Sequence, residues 1–320
     1  MILLEKNILV LIPVNEEHKK LLEEKAPSAN FTYASRKSLD KDQVQKADII
    51  IGNPPVDMVK GSERLEWLQL ESAGVGDYAK TDVLPERVLL TNASGAYGLA
   101  ISEYMLGVLL ELYKRLYLYR DNQKEGKWSY EGQVKAIYNS TALIVGVGDI
   151  GGEFAKRMKA LGAYTIGIRR REAEKPDYLD ELYLMDKLEE LLPRADVVAL
   201  SLPATKLTDK IINQETLKLM KQDAVLINVG RGNAIDTEAL CDALESGHLF
   251  GAALDVTDPE PLPKDHRLWK IKNAIITPHV SGGYSLKETH ERIVKISADN
   301  LEAFMNGRSL INVVDRAAGY

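Results

Sequence analysis

A chain of 320 residues with 45% hydrophobic content is long enough for about two domains, each with its own core. A formal net charge of −6 argues against non-specific nucleic-acid binding, which needs concentrated Lys and Arg, and no run approaches the roughly 18 apolar residues of a membrane span. Residues 1–7 hold Glu5 and no leader core, and the single cysteine, Cys241, excludes an intrachain disulfide, so a soluble cytoplasmic protein with no nucleic-acid or membrane partner is expected.

Strand-like and helix-like segments alternate along the chain, the signature of parallel α/β sheets. Strands are expected at 8–12, 30–33, 49–51, 67–70 and 88–90, with short helices such as 18–25 between some of them. A long apolar helix is expected over 99–123. Further strands are expected at 141–145, 164–168, 196–200, 224–228, 251–255 and 274–277, and a final amphipathic helix over 285–305. Cys241 falls in a helical pattern over 237–246, where a buried structural thiol is expected.

The two halves echo one another. Lys46-Ala47-Asp48-Ile49-Ile50-Ile51 and Arg194-Ala195-Asp196-Val197-Val198-Ala199 each place a helix end and Ala-Asp before a buried strand, as two related doubly wound domains would. The second half carries Gly146-Val147-Gly148-Asp149-Ile150-Gly151 between an apolar strand and a helical pattern over 153–161, the context that a dinucleotide fingerprint requires. Gly146 permits the tight turn, Gly148 a close backbone approach to pyrophosphate, and Gly151 tight helix–strand packing. The helix N-terminus then offers N–H groups to phosphates.

Three segments place ionisable groups just after strands: Asn228-Val229-Gly230-Arg231-Gly232, Asp255-Val256-Thr257-Asp258-Pro259-Glu260-Pro261 and Thr277-Pro278-His279-Val280-Ser281-Gly282-Gly283. Strand-end loops are where functional groups concentrate. Arginine has a planar fork suited to a carboxylate, and a histidine beside a carboxylate is oriented by it and more readily protonated, which fits it to shuttle a proton. His18, His248, His266 and His290 lie in helical or polar-loop contexts that suit packing or capping.

The chain resembles the D-2-hydroxyacid dehydrogenase family over nearly its whole length, from Ala47 to Asn312-Val313-Val314-Asp315 and Gly319-Tyr320. The matching motifs are Ser72-Ala73-Gly74-Val75, the glycine fingerprint, Ser201-Leu202-Pro203, the Arg231 segment, Leu254-Asp255-Val256 with Glu260-Pro261, and the His279 segment. The resemblance implies two doubly wound parallel-sheet domains: a Rossmann nucleotide domain (98–286) inserted in a flavodoxin-like substrate domain (1–97 and 287–320), with a cleft between them. It implies hydride transfer between NAD(P)H and a small 2-keto acid, giving a D-2-hydroxy acid. Arg231 would grip the substrate, His279 would donate the proton, and Glu260 would hold His279. Ser72, Ala73, Gly74 and Val75 would bind substrate through backbone N–H groups near Ala73 and Gly74. The resemblance adds Leu202, Pro203, Val229, Gly230, Asp255, His279 and Gly282 to the fingerprint residues Gly146, Gly148, Asp149, Ile150 and Gly151 as cofactor neighbours, with Asp255 facing the nicotinamide amide. The long helix and the arm around 125–140 would build a homodimer.

Two departures from the family pattern matter. Where members that prefer NAD carry an acid after the second strand of the nucleotide domain, this chain has Arg169-Arg170-Arg171, which suits a 2′-phosphate and favours NADP(H) over NAD(H). The chain also stops after the family's last helix, without the regulatory extension of some phosphoglycerate dehydrogenases. Phosphoglycerate as substrate would call for further cations near residues 52–76; Gly52-Asn53-Pro54-Pro55 and the 72–76 loop hold none, with Lys60 and Arg64 lying between, which makes this the weaker reading. A nucleotide-sensing corepressor on the same fold is the reading from another class, since such proteins can retain Arg231, Glu260 and His279.

Overall fold

Ile49, Ile50 and Ile51 are fully buried, as a strand covered on both faces of a parallel sheet demands. In the computed structural model, which describes residues 5–284, 286–317 and 319, they form the centre of the first of two compact units. One unit joins the segment up to Tyr97 with the segment from Tyr284 onward, and the other is Gly98–Gly283. The expectations for residues 1–4, for a helix start at Ser285 and for Tyr320 lie outside the described residues.

The first unit holds β1 (Asn7–Val10), β2 (Asn30–Tyr33), β3 (Ile49–Ile51), β4 (Trp67–Gln69) and β5 (Leu89–Thr91). All pair in parallel in the order β2-β1-β3-β4-β5, the flavodoxin-like arrangement. Helix Glu16–Lys25 starts at a capping box in which Asn15 accepts the His18 N–H, and the His18 ring accepts the Asn15 N–H. Helix Lys287–Met305 buries Ile293, Val294, Ala298 and Leu301. Its Asn300 donates to Gln69 Oε1 at 2.8 Å and accepts the Ile311 N–H, while Thr91 links Gln69 to the Trp67 indole. These buried polar atoms are all partnered, so the closing segment has one register on the sheet.

The second unit holds β6 (Thr141–Val145), β7 (Tyr164–Arg169), β8 (Glu181–Leu184), β9 (Val197–Leu200), β10 (Val225–Asn228), β11 (Gly251–Leu254) and β12 (Ala274–Ile276). Their order is β12-β11-β10-β9-β6-β7-β8, again all parallel, with the direction of winding reversing between β6 and β9. This is the Rossmann order with a seventh strand. The Ala-Asp echo has one physical purpose in both units. Asp48, just before β3, accepts the N–H of Asn7 at the start of β1 at 2.8 Å, and Asp196, just before β9, accepts that of Thr141 at the start of β6 at 2.7 Å.

Two expectations need correction. The helix expected over 99–123 is two, Gly98–Tyr113 and Leu116–Lys124, broken where Arg115 adopts φ +55°. The break turns Lys114 and Arg115 back onto the carbonyls of Lys135 and Gln133, with the Arg115 guanidinium 5.1 Å over the Phe250 ring. The four-residue strand β8 was not expected: it is an edge strand of half-buried residues and carries no period-2 signal.

Candidate functional site

The fingerprint turn is built as its glycines require. Gly146 has φ +102°, and a Cβ there would stand 2.7 Å from Ser201 O. A Cβ on Gly151 would stand 2.1 Å from Gly146 O, whereas one on Gly148 would meet nothing within 4 Å, so the backbone at Gly148 faces open space. Helix Asp149–Ala160 begins there with no side-chain cap, which leaves its first N–H groups for an anion. The residues present therefore fit a dinucleotide pyrophosphate. Ser201 Oγ donates to Gly146 O at 2.7 Å, and the backbone of Leu202 lies against Gly230, bringing the Leu202-Pro203 and Val229-Gly230 loops to the same end of the sheet.

Arg169 closes β7 half-buried, and no carboxylate among the described residues pairs with it. Together with Arg171, Lys175 and Lys187 it lines a cavity of about 510 Å³. Arg170 is exposed and is not part of that lining.

β10, β11 and β12 are adjacent and parallel, so the loops that follow them leave the same edge. Arg231, after β10, donates from Nη1 to Gly230 O at 2.7 Å. Burial pulls its guanidinium below the ordinary value, and Glu260 acts in the opposite sense. Glu260, after β11, has Oε1 2.7 Å from Nδ1 of His279, after β12. His279 has φ +52°, and its N–H is shared by Asp255 O at 2.8 Å and Thr277 O at 3.0 Å. A histidine held through Nδ1 keeps Nε2 for a reacting proton.

Asp255 is 2% exposed. Its carboxylate accepts from the Thr277 hydroxyl, the Val280 N–H, and both the N–H and hydroxyl of Ser281, which fills the roughly four acceptor sites of a carboxylate. Sequence reasoning had aimed Asp255 at the cofactor and missed this bracing, along with Tyr104, whose OH lies 2.6 Å from Thr277 Oγ1. Gly282 lies at the bend just beyond.

In the first unit, Ser72-Ala73-Gly74-Val75 follows β4. The carbonyls of Ser72, Ala73 and Gly74 accept from Ala93 N, Asn92 Nδ2 and Ser72 Oγ, while the N–H groups of Ala73 and Gly74 have no acceptor among the described residues. Asn53 braces the loop by accepting the Glu71 N–H and donating to Ser72 Oγ. Arg64 is bound to Asp48, before β3, and Lys60 to Asp82, so neither is aimed at the loop after β4. His18, His248, His266 and His290 each contact a nearby backbone group.

Proton transfer beside a dinucleotide turn is chemistry of nicotinamide-dependent oxidoreductases, and comparisons with known proteins agree. The family described as "D-isomer specific 2-hydroxyacid dehydrogenase, NAD binding domain" matches residues 106–281. A D-3-phosphoglycerate dehydrogenase of Methanocaldococcus jannaschii is 31% identical over 96% of this chain, which spans 59% of that protein's length. A glyoxylate reductase of Korarchaeum cryptofilum is 30% identical over 86% of this chain and 85% of its own. Among solved structures, a D-isomer specific 2-hydroxyacid dehydrogenase family protein of Aeromonas salmonicida has 32% identity and TM-score 0.86, covering 98% of this chain and 100% of its own. An NADPH-dependent glyoxylate/hydroxypyruvate reductase of Sinorhizobium meliloti, solved with NADP and sulfate, has 25% identity and TM-score 0.82, covering 99% and 100%.

The chain belongs to the D-isomer specific 2-hydroxyacid dehydrogenase family. It is an NAD(P)-dependent oxidoreductase of the α/β class with a Rossmann sheet. Among the described residues no helix is long and apolar enough to cross a membrane, and no cluster of acids, His or Cys could hold a metal ion.

Proposed function

We propose that the protein reduces a small 2-keto acid, such as glyoxylate or hydroxypyruvate, to the D-2-hydroxy acid, with NADPH preferred over NADH. The observation that carries this reading is the 2.7 Å contact between His279 Nδ1 and Glu260 Oε1 at strand ends next to Arg231. The reduced nicotinamide supplies the hydride. Arg231 binds the carboxylate and keto oxygen through its planar fork. His279 gives its Nε2 proton to the keto oxygen as negative charge develops there, and Glu260 holds the ring in the required tautomer. The N–H groups of Ala73 and Gly74, which have no acceptor among the described residues, are proposed as a second set of anion donors, with Ser72 and Val75 flanking them.

The unit Gly98–Gly283 is proposed to bind the cofactor, with pyrophosphate on Gly146–Gly151 and the helix start, and Leu202, Pro203, Val229, Gly230 and Gly282 around it. The NADPH preference rests on the half-buried Arg169, which lacks a carboxylate partner among the described residues, beside Arg170 and Arg171. A homodimer is proposed from the arm that follows helix Leu116–Lys124, where Trp128 is fully exposed and Tyr130, Val134 and Tyr138 are largely so.

The test is a spectrophotometric screen of 2-keto acids, including glyoxylate, hydroxypyruvate and 3-phosphohydroxypyruvate, with both reduced cofactors. Turnover of a small 2-keto acid with NADPH is expected. No turnover of any 2-keto acid would reject the reading, and a preference for the phosphorylated substrate would replace it.

A further inference from the structure

Helix Gly98–Tyr113 touches two of the loops just described. At its first residue the Gly98 N–H donates to Asp149 Oδ2 on the fingerprint turn at 2.8 Å. A Cβ on residue 98 would stand 2.3 Å from Asp149 Oδ1, so the close approach depends on glycine. Six residues later, Tyr104 OH meets Thr277 Oγ1 at 2.6 Å, two residues before His279. At about 1.5 Å of rise per residue, the two anchor points lie roughly 9 Å apart along one helical rod.

Chemistry fixes the direction of each proton in this chain of contacts. The Asp255 carboxylate only accepts, so Thr277 gives its one hydroxyl proton to Asp255 Oδ1, 2.6 Å away. Tyr104 must then be the donor to Thr277. Burial pushes the phenol up to about 12, so it retains its proton at neutral pH. The same carboxylate holds Val280 and Ser281 on the far side of His279. His279 is therefore bracketed by residues tied to one buried acid, which is the over-determination that a non-glycine residue at φ +52° needs in order to persist.

We propose that Tyr104 is a positioning residue for proton transfer: through Thr277 and Asp255 it fixes the backbone that presents His279, and its helix keeps that loop in register with the nucleotide turn. The proposal rests on His279 being the proton donor. Without the phenol hydroxyl, Thr277 Oγ loses its donor and its hydroxyl is free to rotate away from Asp255. The loop then relaxes from the left-handed conformation, and fewer molecules present the imidazole in the reacting geometry. Substrate and cofactor affinity should stay close to those of the wild type, because the variants leave Arg231 and the fingerprint turn intact.

Tyr104→Phe and Thr277→Val test this against the wild type, using the 2-keto acid of highest turnover and NADPH. kcat is expected to fall about 5–20-fold in Tyr104→Phe and further in Thr277→Val, with KM and the NADPH Kd within about two-fold. NMR of the His279 ring in the cofactor-free protein supplies a readout independent of activity. The Nδ1 proton resonance, held by Glu260 in the wild type, is expected to move upfield and broaden in both variants. Unchanged kcat together with an unmoved His279 resonance in Tyr104→Phe would overturn the proposal, and so would a KM effect without a kcat effect. If the wild type reduced no 2-keto acid, the functional reading would fail, while the NMR comparison would still decide whether Tyr104 positions His279.

Discussion

His279 and Glu260 stand 2.7 Å apart because β11 and β12 are parallel neighbours and the loops after them leave the same edge of the sheet. Nineteen residues of chain separate the pair, and no local pattern brings them together. A carboxylate at this distance from Nδ1 sets the orientation and tautomer of the ring.

Replacing His279 with Ala is expected to lower kcat for keto-acid reduction by roughly 10²–10⁴ while NADPH binding stays nearly intact. Turnover comparable to the wild type would remove His279 from the mechanism.

Arg231 is the next position to probe, because burial already pulls its guanidinium down from the ordinary value. A lysine there keeps one charge but loses the fork, and its ammonium starts from a lower ordinary value under the same burial. Losing one charged hydrogen bond costs about 1.5–3 kcal/mol, so Arg231→Lys is expected to lower kcat/KM for the keto acid about 10- to 100-fold. Steady-state kinetics at fixed, saturating NADPH measure this, and a silent substitution would exclude Arg231 as the carboxylate clamp.

Cofactor choice is expected to turn on Arg169. One charged hydrogen bond to a 2′-phosphate favours NADPH over NADH by about 10-fold or more. Arg169→Asp should reverse the preference, because a carboxylate repels the phosphate and can accept from ribose hydroxyls. The ratio of kcat/KM for the two cofactors, in wild type and variant, is the measurement. A wild type that uses NADH equally well would mean that the arginines serve only as a charged surface.

Glu181 links stability to pH. Hydrogen bonds from Arg194, Tyr183 and Tyr164 outweigh its desolvation and hold its carboxyl at about 2, below the ordinary 4.5. A depressed acid contributes stability that is fully present above the ordinary value and is lost as the pH falls toward the folded-state value. The wild-type Tm should therefore fall between about pH 4.5 and 2, and Glu181→Gln should flatten that limb. At neutral pH the variant is expected to melt about 2–4 °C lower, for a partly solvated pair contributing about 1 kcal/mol. Thermal melts across the acid range decide it, and parallel curves would reject the linkage.

Much of this site was legible in the sequence because its chemistry sits at strand ends and its glycines answer to backbone geometry. The strands at 49–51 and 141–145 lie where apolar runs put them. Less visible was whatever depends on partners remote in sequence. Arg115 breaks a helix whose apolar pattern runs straight through it, because carbonyls near residues 133–135 reward the turn. β8 pairs with β7 at an edge, where half-buried residues give no periodic signal. The acceptors of Asp255 serve a loop more than 20 residues away, which the sequence around Asp255 does not show. Tyr104 carried no signal, since one tyrosine in an apolar helix reads as packing.

The discontinuity of the first unit bears on the order in which the protein is made. Gln69 and Asn300 form a buried hydrogen bond across 231 residues, and Trp67 stacks on Phe304 at 5.3 Å. At roughly 5–20 residues per second, a ribosome finishes β5 some 10–40 s before it delivers the helix that holds Asn300 and Phe304. Throughout that interval the Gly98–Gly283 segment, whose strand partners all lie within itself, emerges and can complete its own sheet. The first-made unit is thus the last to close.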